Sequence, residues 1–214
     1  MTAAVIADIV GSRRLDDRSG AQRVLEATID RVERERPLAR LPLTSTVGDE
    51  FQGVYERLED ALAGLLLLQL ALPDDVQCRY GVGIGSIGPV ASRAGARTDG
   101  PGWWAARRAI DRVHALEQRA APSARTWVEA EAGEDAAMPA ALALANAYLL
   151  ARDQLVGAMS ERTRRLLYGR CLGRTQTVLA AEEGITQSAV SQALATAGAG
   201  AVLEGFTGLD GAGA

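Results

Sequence analysis

Residues 43–55 read Leu-Thr-Ser-Thr-Val-Gly-Asp-Glu-Phe-Gln-Gly-Val-Tyr. Two short runs, Leu43 to Val47 and Phe51 to Tyr55, carry β-branched and aromatic residues on either side of Gly48-Asp49. That pattern predicts a hairpin with a tight turn. Upstream, the apolar run over residues 3–10 ends at Gly11-Ser12 and predicts a buried strand. Between them, Asp16 or Asp17 can cap a helix whose Val24, Leu25, Thr28, Ile29 and Val32 recur at helical spacing, and Pro37 stops it after Arg36. Downstream come a leucine-rich helix from Leu58 to Leu72, ended by Pro73, and a strand from Val76 to Ile87. Glycines alternate in that strand at 81, 83 and 85 and point to one face, where they let a helix or a ligand lie close to the sheet, close packing being the favoured use. A polar loop, a helix from Trp103 to Gln118 and a strand from Arg125 to Glu129 complete this half.

The order β-α-β-β-α-β-α-β predicts an α+β fold, a ferredoxin-like or palm-type sandwich with helices on one face of an antiparallel sheet. Beyond the small, acidic stretch from Glu131 to Ala137 the strand signal vanishes. Residues 140–157, 160–170, 174–182 and 187–197 read as four helices, and the Gly/Ala-rich tail from Gly198 carries little order signal. The expected division is therefore a first domain over 1–130, a linker over 131–139, and an all-α domain over 140–214.

The 214 residues are 48% hydrophobic and 23% charged, an ordinary globular composition able to bury a core. No apolar run is long enough to span a bilayer. The N-terminus lacks the basic segment of a signal peptide, so a cytoplasmic protein without a membrane partner is expected. Cys78 and Cys171 are distant in sequence and form no metal-binding or disulfide pattern. All 23 basic residues are arginine, so no chemistry here rests on lysine. The net charge of −4 does not by itself mark a nucleic-acid binder, although the arginines of Ser160 to Gly184 allow a local basic patch.

Residues 175–197 have helix-turn-helix spacing. Ala180 is small where two helices approach, Gly184 permits a left-handed turn, Ile185 and Val190 lie under the second helix, and Thr186 caps it. Gln187, Ser188, Ser191 and Gln192 then stand on its first half. With Thr186 and Arg174, they are the candidate DNA-binding residues, since such side chains hydrogen-bond base edges and phosphates. The arginines of Ser160-Glu161-Arg162-Thr163-Arg164-Arg165 either neutralise backbone phosphates or form a solvated helix face. The alternative for the whole segment is a helical hairpin that packs on a partner and touches no DNA.

In the first half, Asp8 ends a buried strand and Asp49 sits in the hairpin turn. If the two strands are neighbours, these carboxylates converge and require a cation or an arginine between them, and Mg²⁺ or Mn²⁺ suits such oxygen ligands. Otherwise Asp49 is a turn residue and Asp8 a capping or salt-bridge residue. Asp99-Gly100-Pro101-Gly102-Trp103-Trp104 opens a helix that carries Arg107 and Arg108 one turn in, a geometry suited to phosphate. Arg13 and Arg18 follow the Asp8 strand and either face a phosphate or form ion pairs in a solvated loop. His114 lacks an acid-base partner and reads as structural. Gly83 to Gly88 matches GxGxxG, but no helix follows, so a dinucleotide site is rejected.

The ordered strings ADIVG, GDEFQGVY, RYGVGIGSIG and DGPGWWAARRA resemble the SatD family and, more remotely, the class III nucleotidyl cyclase domain; VGDEF is also similar to diguanylate cyclases. MSERTRRLL and GITQSAVSQAL resemble the promoter-reading region of sigma factors. The cyclase resemblance implies metal binding at Asp8, the Ile9 carbonyl and Asp49, and a phosphate-steadying catalytic role for Arg107. Gly11, Ser12, Arg13, Arg18, Gly48, Glu50, Asp99 and Trp103 are, with Arg107, the candidate nucleotide-binding residues, and the resemblance implies a homodimer. Departures are specific: Trp103 stands where cyclases have asparagine, the base-selecting lysine has no counterpart, and Val47 replaces the glycine of diguanylate cyclases. The expected function is a DNA-binding transcription regulator whose degenerate cyclase-like domain senses a nucleotide, including a cyclic mono- or dinucleotide messenger. The alternative is an active cyclase converting a nucleoside triphosphate to a cyclic nucleotide.

Overall fold

In the computed structural model, β1 (Ala3–Ile9) is the middle strand of a five-stranded sheet ordered β2-β3-β1-β4-β7. The structure describes residues 2–12, 16–46, 48–90, 97–131, 133 and 136–211. The hairpin forms as β2 (Leu41–Ser45) against β3 (Glu50–Tyr55), and β3 pairs antiparallel with β1, placing Asp8 opposite Glu50. On the other side β1 pairs antiparallel with β4 (Cys78–Ile84), placing Asp8 opposite Arg79. β5 (Gly88–Val90) and β6 (Arg97–Asp99) form a separate two-stranded ladder.

Two features correct the sequence reading. β7 (Thr126–Ala130) runs parallel to β4, because α3 (Pro101–Glu117) carries the chain across the sheet between them, as a crossover connection requires. Helices also cover both faces. Alternate β1 residues Ala3, Val5, Ala7 and Ile9 face the side of α1 (Arg18–Glu35) and α2 (Leu58–Ala71), while Ala4 and Ile6 face Trp103, Ala106, Ile110 and Val113 of α3. α3 lies directly on β4: a Cβ on Gly83 would meet the Gly102 carbonyl and the Ala106 amide nitrogen. The alternating glycines serve close packing, as their pattern predicts.

α2 is apolar nearly all round, because one side faces the sheet and the other takes α5 (Glu161–Cys171) and α8 (Ala199–Gly211). A single apolar cluster runs from Leu25 and Leu66 through Leu149 and Leu167 to Val190 and Phe206. α4 (Met138–Gly157) closes the free edge of β7: Val128 N donates to Asn146 Oδ1 at 2.8 Å, and Asn146 Nδ2 donates to Val128 O at 2.9 Å. The tail read as weakly ordered is helix α8. Its glycines lower intrinsic propensity, but Val202 and Phe206, one turn apart, are buried and supply the packing that propensity lacks. Among the described residues, no helix is long and apolar enough to cross a membrane.

Candidate functional site

Cross-strand register builds a cleft of about 760 Å³ at one end of the sheet. Glu50, Asp8 and Arg79 are directly opposite one another on β3, β1 and β4, so they share one face. It is the face that α3 covers, and His114 and Glu117 of α3 complete the wall. Gly11 and Gly48 both have left-handed backbone, φ 66° and 75°, and turn the two loops that carry Ser12 and Asp49 to the mouth. The strands are neighbours, so Asp8 and Asp49 converge as the sequence predicts.

Every carboxylate of this wall is held by an arginine. Arg79 Nε donates to Asp8 Oδ1 at 2.8 Å and Nη2 to Asp8 Oδ2 at 3.2 Å, a side-on fork. Its Nη1 donates to Glu117 Oε2 at 2.8 Å, and Arg125 pairs with Glu117 Oε1 at 3.2 Å. At the rim, Arg18 pairs with Asp49 at 3.0 Å, and Arg107 Nη2 contacts both Glu50 oxygens at 2.8 and 2.7 Å. Burial pushes the Asp8 carboxyl above its ordinary range even though Arg79 pulls against it. Burial also pushes Asp49 upward, but the Ser12 hydroxyl, a backbone amide and Arg18 outweigh it and leave that carboxyl below its usual value. For Arg79 burial acts downward, and Asp8 and Glu117 overcome it, so the guanidinium is held firmly charged.

A resident Mg²⁺ or Mn²⁺ does not fit this donor set. Both Asp8 oxygens already face a guanidinium, and Asp49 is held by Arg18. The Ile9 side chain points into the core on the other face, which leaves its expected role to the backbone carbonyl alone. Asp99 and Trp103 stand at the start of α3 outside the cleft lining. Asp99 Oδ1 accepts from Gly100 N, and the indole of Trp103 is buried with Nε1 donating to Thr98 Oγ1 at 3.1 Å. Trp104 is the exposed tryptophan of the pair. Arg13 lies outside the described residues. The sequence reading missed Arg79 and Glu117 and set His114 aside as structural. The available signal was Arg79 itself, the lone charge in an otherwise apolar, fully buried strand.

In the helical half, α6 (Gln176–Glu183) ends at Gly184 with φ 66°, and α7 (Gln187–Thr196) begins with the Thr186 hydroxyl accepting from Ala189 N. Leu179, Ala180, Val190 and Leu194 are buried beneath the pair. Thr186, Gln187, Ser188, Ser191 and Gln192 are exposed on one side of α7, and Gln187 Nε2 donates to Gln176 Oε1 at 2.6 Å. The preceding arginines, read either as phosphate-facing or as a solvated helix face, are mostly engaged within the fold, with Arg162 the most exposed of those paired with an acid. Arg164 is buried against Asp74 and the Leu72 carbonyl, Arg165 bridges Glu161 and Glu183, and Arg174 pairs with Glu182 and Glu35. These acids engage the arginines because the helices fold them into reach, which a one-dimensional charge count does not register.

The geometry defines a mixed α+β chain with a charged cleft at the end of its central strands. The chain belongs to the SatD family, matching it over residues 2–200. No protein of curated function matches it. Among solved structures, it is similar to the guanylate cyclase domain of RhGC from Catenaria anguillulae in complex with GTP, at 14% identity over 51% of this chain and 71% of that one, TM-score 0.42. It is also similar to the non-canonical dimeric guanylyl cyclase domain of the RhoGC fusion protein from Blastocladiella emersonii, at 14% identity over 51% and 72%, TM-score 0.42. An adenylyl cyclase from P. aeruginosa is 9% identical over 55% of this chain and 81% of that one, TM-score 0.38.

Proposed function

We propose that the protein is a DNA-binding transcription regulator whose cleft takes a nucleotide phosphate as its signal. The observation that carries the reading is the α6–Gly184–α7 unit. It leaves five uncharged hydrogen-bonding side chains, Thr186, Gln187, Ser188, Ser191 and Gln192, exposed on the first half of a capped helix. Side chains of this kind read base edges in the major groove, while the helix N-terminus favours an adjacent phosphate. The nearby arginines are engaged with acids, so sequence-specific contacts carry more of the affinity than in a strongly basic reader. A homodimer would set two copies of α7 on successive half-sites.

For the cleft, support comes from the unequal strength of its ion pairs. The side chains of Arg18 and Arg107 are each 49% exposed. Exposed pairs contribute only about 0.2–1 kcal/mol, so a ligand phosphate can exchange with their acids at little cost. Asp8, a residue a cyclase reaction would use, is engaged by the buried Arg79, which speaks against turnover. A nucleotide alters DNA affinity only if it binds two arrangements of the protein unequally.

The test selects a duplex from a random pool with the full chain, then titrates that duplex at fixed salt with and without nucleotides. Gln187→Ala with Gln192→Ala is expected to weaken specific binding by about tenfold or more while leaving non-specific binding nearly unchanged. Equal losses on both duplexes would remove α7 from the reading role.

A further inference from the structure

We propose that Arg79 stands in this cleft as a built-in replacement for a divalent cation, so that phosphate binds without metal and a phosphodiester is preferred over a nucleoside triphosphate. The role of Arg79 rests on the geometry alone; the ligand preference rests on the nucleotide reading above.

Converging carboxylates need a positive charge beside them. At Asp8 and Glu117 that charge is the covalent guanidinium of Arg79, while Asp49 is held by Arg18. Arg79 lies beside Asp8 in the sheet, forks both of its oxygens, and reaches Glu117 on α3 with its remaining nitrogen. The Arg79 side chain is only 8% exposed, so its charge is little screened by solvent, while Asp8, at 27%, presents an edge to the cleft. A divalent ion would have to displace the guanidinium from Asp8 and leave it buried without that partner, the costly way to break a buried pair. The rim pairs, by contrast, are half open to water and can exchange.

The charge balance then decides the ligand class. Asp8, Asp49, Glu50 and Glu117 are matched by Arg79, Arg18, Arg107 and Arg125, which leaves the wall neutral. An entering phosphate that takes Arg18 from Asp49, or Arg107 from Glu50, frees a carboxylate near its own charge. A singly charged diester tolerates that repulsion. A triphosphate brings several charges into the same acids and needs the metal that Arg79 keeps out. The chemistry favours a cyclic mononucleotide or cyclic dinucleotide.

Titration of the full chain with Mn²⁺, following the paramagnetic resonance of the free ion, tests the role of Arg79. The wild type is expected to leave Mn²⁺ free, while Arg79→Met, which releases Asp8 and one oxygen of Glu117, tightens Mn²⁺ binding by about tenfold or more. Wild-type binding that Asp8→Asn abolishes overturns the proposal, and so does a folded Arg79→Met that gains no affinity. If Arg79→Met does not fold, the wild-type and Asp8→Asn titrations still decide. Calorimetry with a cyclic mononucleotide, a cyclic dinucleotide and a nucleoside triphosphate, each in EDTA and in Mg²⁺, tests the ligand class. One diester binding at least about tenfold tighter than the triphosphate, equally in both buffers, is the expected result. A triphosphate that binds more tightly only with Mg²⁺ overturns the preference. Failure of every nucleotide to bind overturns the nucleotide reading and the preference together, while the Mn²⁺ result stands separately for Arg79.

Discussion

Arg174 Nη2 donates to Glu35 Oε1 at 3.3 Å, joining the loop before α6 to the last residue of α1 across 139 positions of sequence. The other Glu35 oxygen accepts from the Tyr168 hydroxyl of α5. At its opposite end, α1 begins with Arg18, which holds Asp49 at the cleft. Eighteen residues make a rod of about 27 Å, so a single helix connects the cleft to the α6–α7 unit. A ligand that draws Arg18 from Asp49 therefore acts on one end of an element whose other end grips Arg174.

Glu35→Gln is expected to separate the two halves of the proposed function. The Glu35–Arg174 pair is partly exposed and worth about 1 kcal/mol or less, so the melting temperature should fall by only a few degrees. Nucleotide affinity and basal DNA affinity should persist, while the effect of one on the other shrinks. Duplex titrations of wild type and Glu35→Gln, with and without saturating nucleotide, measure that coupling. An unchanged ratio would place the connection elsewhere.

Asp153 is the strongest structural demand in the helical half. It is fully buried, accepts from the Arg125 and Thr126 amides at 2.7 Å each, and pairs with the buried Arg152 at 3.0 Å. Asp153→Ala orphans two backbone donors at the start of β7 and removes the acid partner of Arg152. A loss of about 3–5 kcal/mol is expected in urea unfolding. A loss below 1 kcal/mol would mean that water or a shifted side chain takes over those bonds.

Much of this molecule was legible in the sequence because its signals are local. The hairpin around Gly48-Asp49, the Asp17 cap, the Pro37 and Pro73 stops and the Gly184 turn each depend on neighbouring residues alone. The direction of β7 and the placement of helices on both faces depend on where α3 crosses the sheet, which no local pattern encodes. The charge arrangement was the least legible part. Asp8 and Arg79 are 71 positions apart and meet only through strand register, so a sequence that displays a metal-type acid pair, Asp8 and Asp49, also hides the arginine that holds Asp8. The helix α8 was missed for a related reason, since its order comes from Val202 and Phe206 meeting the core.

The contact between α3 and β4 yields a matched pair of glycine substitutions. At Gly83 an added methyl would meet backbone atoms of Gly102 and Ala106, which can move only if α3 lifts from the sheet. At Gly88 an added methyl meets nothing within 4 Å. Gly83→Ala is expected to cost about 3 kcal/mol or to prevent folding, while Gly88→Ala stays within about 0.5 kcal/mol of wild type. Denaturant midpoints for the two variants decide the matter. Equal behaviour would show that the helix accommodates the extra carbon.

Cys78, beside Arg79 in β4, gives the fold an alkaline weakness with a defined sign. Burial, reinforced by the nearby Asp8 charge, pushes its thiol from 9.0 up to about 12. The unfolded chain then ionises at a pH where the folded chain cannot, so the Cys78 contribution is fully present below pH 9 and declines as pH rises from there toward 12. One unit above the unfolded value, the expected loss is about 1.4 kcal/mol. Urea unfolding at neutral pH and near pH 10 should show a steeper decline for wild type than for Cys78→Ala, whatever the variant's absolute stability. Parallel declines would mean that the folded state already exposes this thiol to hydroxide. A native-state reaction of Cys78 with a thiol reagent at pH 8, as fast as in denaturant, would say the same by an independent route.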